Sequence, residues 1–230
     1  MKRKDFLKNG ALGMGAIIGF SSLVSSCKKD EDTGGDGSCE ETPSETKGPF
    51  PIKTPAELVK ENITSDRTGI PVIIAIEIQN VNNLCNPLPD VLVDVWHCDK
   101  DGYYSQYGGT REQAVDYTGV NFLRGRQTTD SSGIVRFISI YPGWYQGRAP
   151  HIHVEVLTAA AKSLLVTQIA FPEDISKTVY ASELYKDHGQ ADTSNTGDSI
   201  FRDSLTDELA TITGNLTDGY TISHIIKVEG

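Results

Sequence analysis

The sequence runs to 230 residues, carries 21 Lys and Arg against 31 Asp and Glu for a formal net charge of −10, and is 38% hydrophobic. That is enough material for one large or two small domains with a sizeable core. An acidic chain whose only basic cluster lies at its very start is not a nucleic-acid binder.

Lys2, Arg3, Lys4 and Lys8 precede an uncharged, mostly apolar stretch from Gly10 to Ser26. This is the layout of an export signal, a little short for a bilayer span. The run from Leu23 to Cys27 resembles the lipobox of bacterial lipoproteins, in which the cysteine is acylated and becomes the first mature residue. Residues 1–27 are therefore expected to be a lipoprotein-type signal peptide, with a lipid on Cys27 anchoring the mature chain to the membrane of the bacterial cell envelope. Periplasmic and surface orientations both stay open. The run from Arg3 to Lys8 also resembles a twin-arginine export signal, with Lys4 in place of the second arginine.

Residues 28–47 are acidic and rich in Gly, Ser and Thr, and are expected to form a disordered linker. Gly48, Pro49, Phe50 and Pro51 open the folded domain, which runs from 48 to 230, with a rigid non-helical segment. Pro55 to Asn62 reads as one or two helical turns with Thr54 as cap. Val72 to Ile78 is β-branched and apolar, the pattern of a core strand. A turn-rich stretch from Asn80 to Pro89 leads to a strand over Val91–Trp96. Asp99 to Gly102 is a tight turn, followed by Tyr103 and Tyr104, then a polar loop over 108–119. Further strands are expected at Asn121–Gln127, Ile134–Ile140, His151–Leu157, Leu164–Phe171 and Tyr220–Val228. Ser182 to Asp187 reads as a helical turn, and Ser204 to Thr213 as a short amphipathic helix closed by Gly214. Many short strands with turn signals between them, few short helices and long loops indicate an all-β fold, a β-sandwich of immunoglobulin-like type.

With Cys27 lipidated, Cys39, Cys85 and Cys98 remain in a compartment that permits disulfides. Three is odd, so at least one is free or pairs outside the chain. An extended strand over 90–97 would hold Cys85 and Cys98 apart; the pairing is otherwise open.

The chemistry concentrates in residues 141–153. His151 and His153 are two apart, so on a strand they project from one face and can reach a single metal ion. Tyr145 and Arg148 lie on a Pro/Gly-rich turn that folds back over that strand. No CxxC spacing supplies zinc-type sulfur ligands, and no Asp or Glu within 141–153 completes a carboxylate triad for ferrous iron. Tyrosine is what the sequence offers, and phenolate is a hard donor suited to Fe(III).

Three blocks, Val93 to Ser105, Phe122 to Asp130 and Ile140 to His153, resemble the intradiol ring-cleavage dioxygenases, which include catechol 1,2-dioxygenases and protocatechuate 3,4-dioxygenases. The resemblance extends from Gly48 to Val228. It implies the β-sandwich core of that family and a non-haem Fe(III) held by Tyr104, Tyr145, His151, His153 and a solvent hydroxide. It further implies that Tyr145 leaves the metal to act as base for a substrate hydroxyl. Arg148 would stabilise negative charge on the substrate, and Gln168 would stand close behind the iron. The reaction implied is cleavage of a catechol-type aromatic with O2 to a cis,cis-muconate-type product, as in aromatic catabolism, with no reductant or organic cofactor. Tyr103, adjacent to Tyr104 and so on the opposite face, is expected to pack or to line the pocket. His97, His188 and His224 read as surface or structural residues, and Trp96 and Trp144 as packing residues, with Trp144 also placed to line the pocket. The N-terminal helical segment that dimerises the catechol branch is missing, and a homodimer stays open. The other readings are a non-catalytic β-sandwich lipoprotein that binds aromatic or glycan ligands, and a zinc or copper site on the two histidines.

Overall fold

The computed structural model describes residues 39–230. The expected signal peptide, Cys27 and the expected linker up to residue 38 lie outside the described residues. Among the described residues no helix is long and apolar enough to cross a membrane.

The fold is a two-sheet, mostly β structure with few short helices, as expected. In the first sheet β1 (Pro71–Asn80) is central. It pairs in parallel with β9 (Gly219–Val228) along one edge. Its other edge is shared by β5 (Ile134–Ile140) and the two-residue β2 (Asn86–Pro87), both antiparallel. The hairpin strand β8 (Thr211–Asn215) closes the far side of β9. The second sheet is antiparallel throughout, in the order β4 (Arg124–Thr128), β3 (Leu92–Trp96), β6 (His151–Leu157), β7 (Ser163–Ala170).

Alternation along the strands separates core from site. Ile74, Ile76 and Ile78 of β1, Ile222 and Ile226 of β9, Val93 and Val95 of β3, and Ile152, Val154 and Val156 of β6 belong to one buried apolar cluster. These side chains point between the sheets, and their burial drives the packing. The intervening residues of β6, namely His151, His153 and Glu155, therefore face away from the core on the outer surface of the second sheet. They are nevertheless buried, because other segments cover that surface.

One covering segment corrects the expected linker. Residues 39–47 are tied down: Cys39 is disulfide-bonded to Cys85, and the Thr42 N–H donates to Lys227 O at 3.0 Å. The Glu45 N–H donates to Val166 O at 2.7 Å, and Lys47 pairs with Glu155 at 2.7 Å. The polar composition is real, but this strap is held by backbone hydrogen bonds and one covalent bond rather than by apolar burial. Cys98 stays free and buried, so Cys85 and Cys98 are not bridged.

The helices depart from expectation only in part. The first turn is a 3-10 helix over Pro55–Leu58, and Thr54 makes no side-chain capping bond. Helix α1 (Glu173–Tyr180) was not expected; it follows Pro172, has Glu173 and Asp174 in its first turn, and buries Val179 and Tyr180. Ser182–Asp187 is the expected helical turn, with the Tyr185 and Lys186 N–H groups donating to Ser182 O at 3.0 and 2.9 Å. The expected helix over Ser204–Thr213 shrinks to α2 (Leu205–Glu208), and Thr211–Asn215 is strand. Thr211, Ile212 and Thr213 are β-branched and suit the β8–β9 hairpin better than a helix. Gly214, at φ +114 and closely facing Gly219, permits the tight approach there.

Candidate metal centre

Strand register builds the base of the site. Trp96 on β3 stands opposite both Arg124 on β4 and His153 on β6, and His153 stands opposite Gln168 on β7. Arg124, Trp96, His153 and Gln168 thus form one row across the outer face of the second sheet. The Trp96 and His153 rings stack with centroids 4.9 Å apart and planes 6° from parallel. His151 is one step along β6. Its Nε2 lies 3.1 Å from His153 Nε2, so both rings aim at one point.

The phenols come from loops. Tyr104 is fully buried, and its Oη is 3.5 Å from His151 Nε2. Gln113 grips the Tyr104 backbone at both ends, accepting from its N–H at 2.7 Å and donating to its carbonyl at 2.8 Å. Tyr145, half-buried, meets the Tyr104 ring at 5.8 Å and the His151 ring at 5.5 Å. Phe50 packs on both phenols, at 4.8 and 6.3 Å. Tyr103 is directed elsewhere, its ring 6.2 Å from Tyr117.

Arg148 is fixed on three sides. Its Nε donates to Asp198 at 2.8 Å, its Nη2 to Gln168 Oε1 at 2.7 Å, and its Nη1 to Tyr145 Oη at 3.3 Å. Gln168 in turn donates to Thr46 O at 2.8 Å. The strap, β7 and the Tyr145 loop are therefore joined by one chain of hydrogen bonds.

The donor set suits a hard cation. His151 Nδ1 donates to Ala149 O at 2.6 Å, which commits the Nε2 lone pair to the shared point. Burial pushes the His151 imidazole down to about 3 and holds His153 well below the usual range, with neighbouring His151 adding to the effect. Both are neutral and available as ligands. Burial also raises both phenols, Tyr104 well above the ordinary value and Tyr145 against the opposing pull of Arg148. A phenolate here thus requires a multivalent cation to replace the lost proton. Among the described residues no three His, Cys, Asp or Glu side chains converge on a metal-sized point. A ligand set at this place is built from imidazoles and phenols.

His97, His188 and Trp144 have structural partners. His97 is bonded through its ring to Ser139 Oγ at 2.7 Å and Cys98 O at 2.8 Å. His188 donates to Trp144 O at 2.8 Å, and Trp144 Nε1 donates to Gly189 O at 3.1 Å. His224 is buried in the first sheet with Nε2 unpartnered.

Sequence reasoning missed Asp198, Gln113, Thr46, Gly48 and Arg124. Gly48 (φ +66) lies so close to His153 that a Cβ would stand 2.9 Å from its Cε1. Arg124 is fully buried and donates only to neutral acceptors, the Ser105 hydroxyl and carbonyl and Phe50 O. A glycine directly before Pro49, and the place of Arg124 in the Phe122–Asp130 block, were weak available signals; Asp198, Gln113 and Thr46 had none.

Two sheets with imidazoles and phenols gathered on the outer face of one define the class of site. A family model described as Dioxygenase matches residues 47–187, and the chain belongs to the intradiol ring-cleavage dioxygenase family. It is 36% identical over 96 residues, 38% of its length, to the protocatechuate 3,4-dioxygenase beta chain of Burkholderia cepacia. That match spans 40% of the relative's length. Among solved structures it is similar to an intradiol ring-cleavage dioxygenase from Tetranychus urticae, with TM-score 0.74 and 27% identity over 83% of this chain and 95% of that one. It is also similar to the dioxygenase domain of a dioxygenase carbohydrate-binding protein fusion from Streptomyces sp. SirexAA-E. There the TM-score is 0.57 and identity 26%, over 82% of this chain and 97% of that one.

Proposed function

We propose that the protein is a non-haem Fe(III)-dependent dioxygenase that cleaves a catechol-type aromatic with O2 to a cis,cis-muconate-type product. The observation that carries this reading is the convergence of Tyr104, Tyr145, His151 and His153, two neutral imidazoles and two buried phenols. These four residues would hold the iron, with no other cofactor. Bound there, ferric iron would draw electron density from a coordinated catecholate and make its ring reactive towards O2.

The protein's own groups divide the remaining work. Tyr104 is the enclosed phenol, backed by Gln113, and stays in place. Tyr145 is the accessible one and takes the proton of a substrate hydroxyl at Oη. The Arg148 guanidinium, 3.3 Å from that oxygen, stabilises negative charge beside it. Gln168 orients Arg148 through Nη2. Phe50 covers both phenols and limits water.

We further propose export and attachment to the bacterial cell envelope through a lipid on Cys27, which would put the reaction outside the cytoplasm. The Cys39–Cys85 disulfide supports an oxidising compartment. The test of activity is O2 uptake by iron-loaded protein given catechol, with 18O2 label followed into the product. Both label atoms in a ring-opened diacid is the expected result. Binding of catechol without O2 consumption would leave a lipoprotein that only captures aromatics. Mass analysis of the membrane-extracted protein tests the acyl chains on Cys27.

A further inference from the structure

Asp198 lies beyond the residues matched by the family model, which end at 187, yet it makes more bonds to the site loop than any residue within that match. Its side chain is fully buried. It accepts from Arg148 Nε at 3.0 and 2.8 Å, from the Ala149 N–H at 2.7 Å and from the Ile200 N–H at 2.9 Å. The same segment sends Asp192 to the Gly147 N–H at 3.2 Å and sets the Phe201 ring 5.7 Å from the Arg148 guanidinium.

This arrangement changes what Arg148 can offer a substrate. A guanidinium grips a carboxylate through two parallel N–H donors. Here Nε is bound to Asp198 and Nη2 to Gln168, which leaves Nη1 directed at Tyr145 Oη. The charge is compensated as well. Glu45, half-buried, is within electrostatic reach of both Arg148 and Asp198, and Asp203 adds negative charge beside Glu45. Of the neighbouring cations, Lys47 pairs with Glu155, while Lys53 donates to Gln106 O over the Tyr107 ring and buried Arg124 directs its N–H groups at the neutral oxygens of Ser105 and Phe50.

We propose that Asp198 positions Arg148 and offsets its charge towards a second anion, leaving only Nη1 to serve the Tyr145 oxygen, so that the site selects uncharged catechols over carboxylated ones. The proposal rests on the dioxygenase reading and adds a specificity-determining residue to it. Like charges set face to face penalise the wrong ligand, which is how selectivity is built without a new attractive contact.

The test is an anaerobic titration of the iron-loaded protein with catechol and with 3,4-dihydroxybenzoate, reading each Kd from the visible absorption change. The wild-type protein should bind catechol about tenfold or more tightly than 3,4-dihydroxybenzoate, and Asp198→Asn should narrow that ratio about fivefold. Asparagine keeps an acceptor for the Ala149 N–H, so a residue with a purely structural role would lower stability and leave the ratio alone. An unchanged ratio in folded Asp198→Asn overturns the proposal. Should that variant fail to fold, the wild-type ratio decides: equal or tighter binding of 3,4-dihydroxybenzoate overturns it. A protein that takes up no ferric ion, or shows no absorption change with either catechol, overturns the dioxygenase reading and this proposal together. A ratio that fails in an iron-loaded, catechol-binding protein overturns this proposal alone.

Discussion

Gly48 stands directly against His153, close enough that a Cβ at position 48 would lie 2.9 Å from the ring's Cε1 and 3.2 Å from Nε2. The strap that enters the domain here is thus the back wall of one imidazole. Its φ of +66 is a conformation that side chains rarely adopt. Gly48→Ala should therefore both strain the backbone, by about 1 kcal/mol or more, and press on His153. Its melting temperature should fall modestly while iron content after reconstitution falls sharply. Full iron loading at unchanged affinity would show that the strap does not support the ring.

The tyrosines make a three-way comparison. Tyr104→Phe and Tyr145→Phe each remove a phenol from the cluster, whereas Tyr103 packs near Tyr117. The first two should lose or shift the visible absorption of the iron-loaded protein. Tyr103→Phe should retain it. Loss of the band in the Tyr103 variant alone would assign the ligand to the wrong neighbour.

Cys39 and Cys85 close a loop of sequence separation 46. In the chain-entropy account such a link stabilises by about 4 kcal/mol, which in a domain of this size corresponds to a melting shift of roughly 10 °C. Reductant should lower the melting temperature of the wild type, and a double variant carrying Cys39→Ser and Cys85→Ser should melt at the reduced value and ignore reductant. The strap also holds Gln168 through Thr46 O. Reduction should therefore weaken substrate binding at temperatures well below melting.

Two histidines outside the site make stability depend on pH. Burial pushes His97 from an ordinary 6.5 down to about 4, and His224 likewise to about 4. The unfolded chain takes up each proton near 6.5, and the folded chain only near 4. The stability these groups contribute is thus complete above about 6.5 and is lost as pH falls towards 4. Each neutral histidine contributes a slope of about 1.4 kcal/mol per pH unit in that window. Denaturant melts between pH 7 and 4.5 measure it, and His224→Leu should flatten the curve, since its Nε2 has no partner to lose. A slope unaltered by that substitution would contradict the assignment.

How far the sequence carried depends on which forces wrote it. β1, β5 and β6 were legible because β-branched alternation sets both the strand and its buried face, and the His151 and His153 spacing then set two imidazoles on one side. Tyr145 and Arg148 were legible from the Pro/Gly-rich turn ahead of the histidines, whereas the choice of Tyr104 over Tyr103 and the place of Gln168 came through resemblance. The row of Arg124, Trp96, His153 and Gln168 depends on strand register, which no single segment encodes. Asp198 reaches Arg148 from fifty residues downstream, in a turn-rich segment without a periodic pattern. Residues 39–47 were mistaken for linker because backbone bonds to Lys227 and Val166 leave no mark on composition. β8 reads as helix in the sequence because the short helical pattern of its neighbour α2 runs on into it without a break.

The central claim is a ferric centre on Tyr104, Tyr145, His151 and His153. The visible spectrum of purified, iron-reconstituted protein, recorded anaerobically before and after catechol, tests it most directly. A tyrosinate-to-Fe(III) absorption band that shifts when catechol is added is the expected result. A colourless protein holding stoichiometric zinc, with no spectral response to catechol, would contradict it.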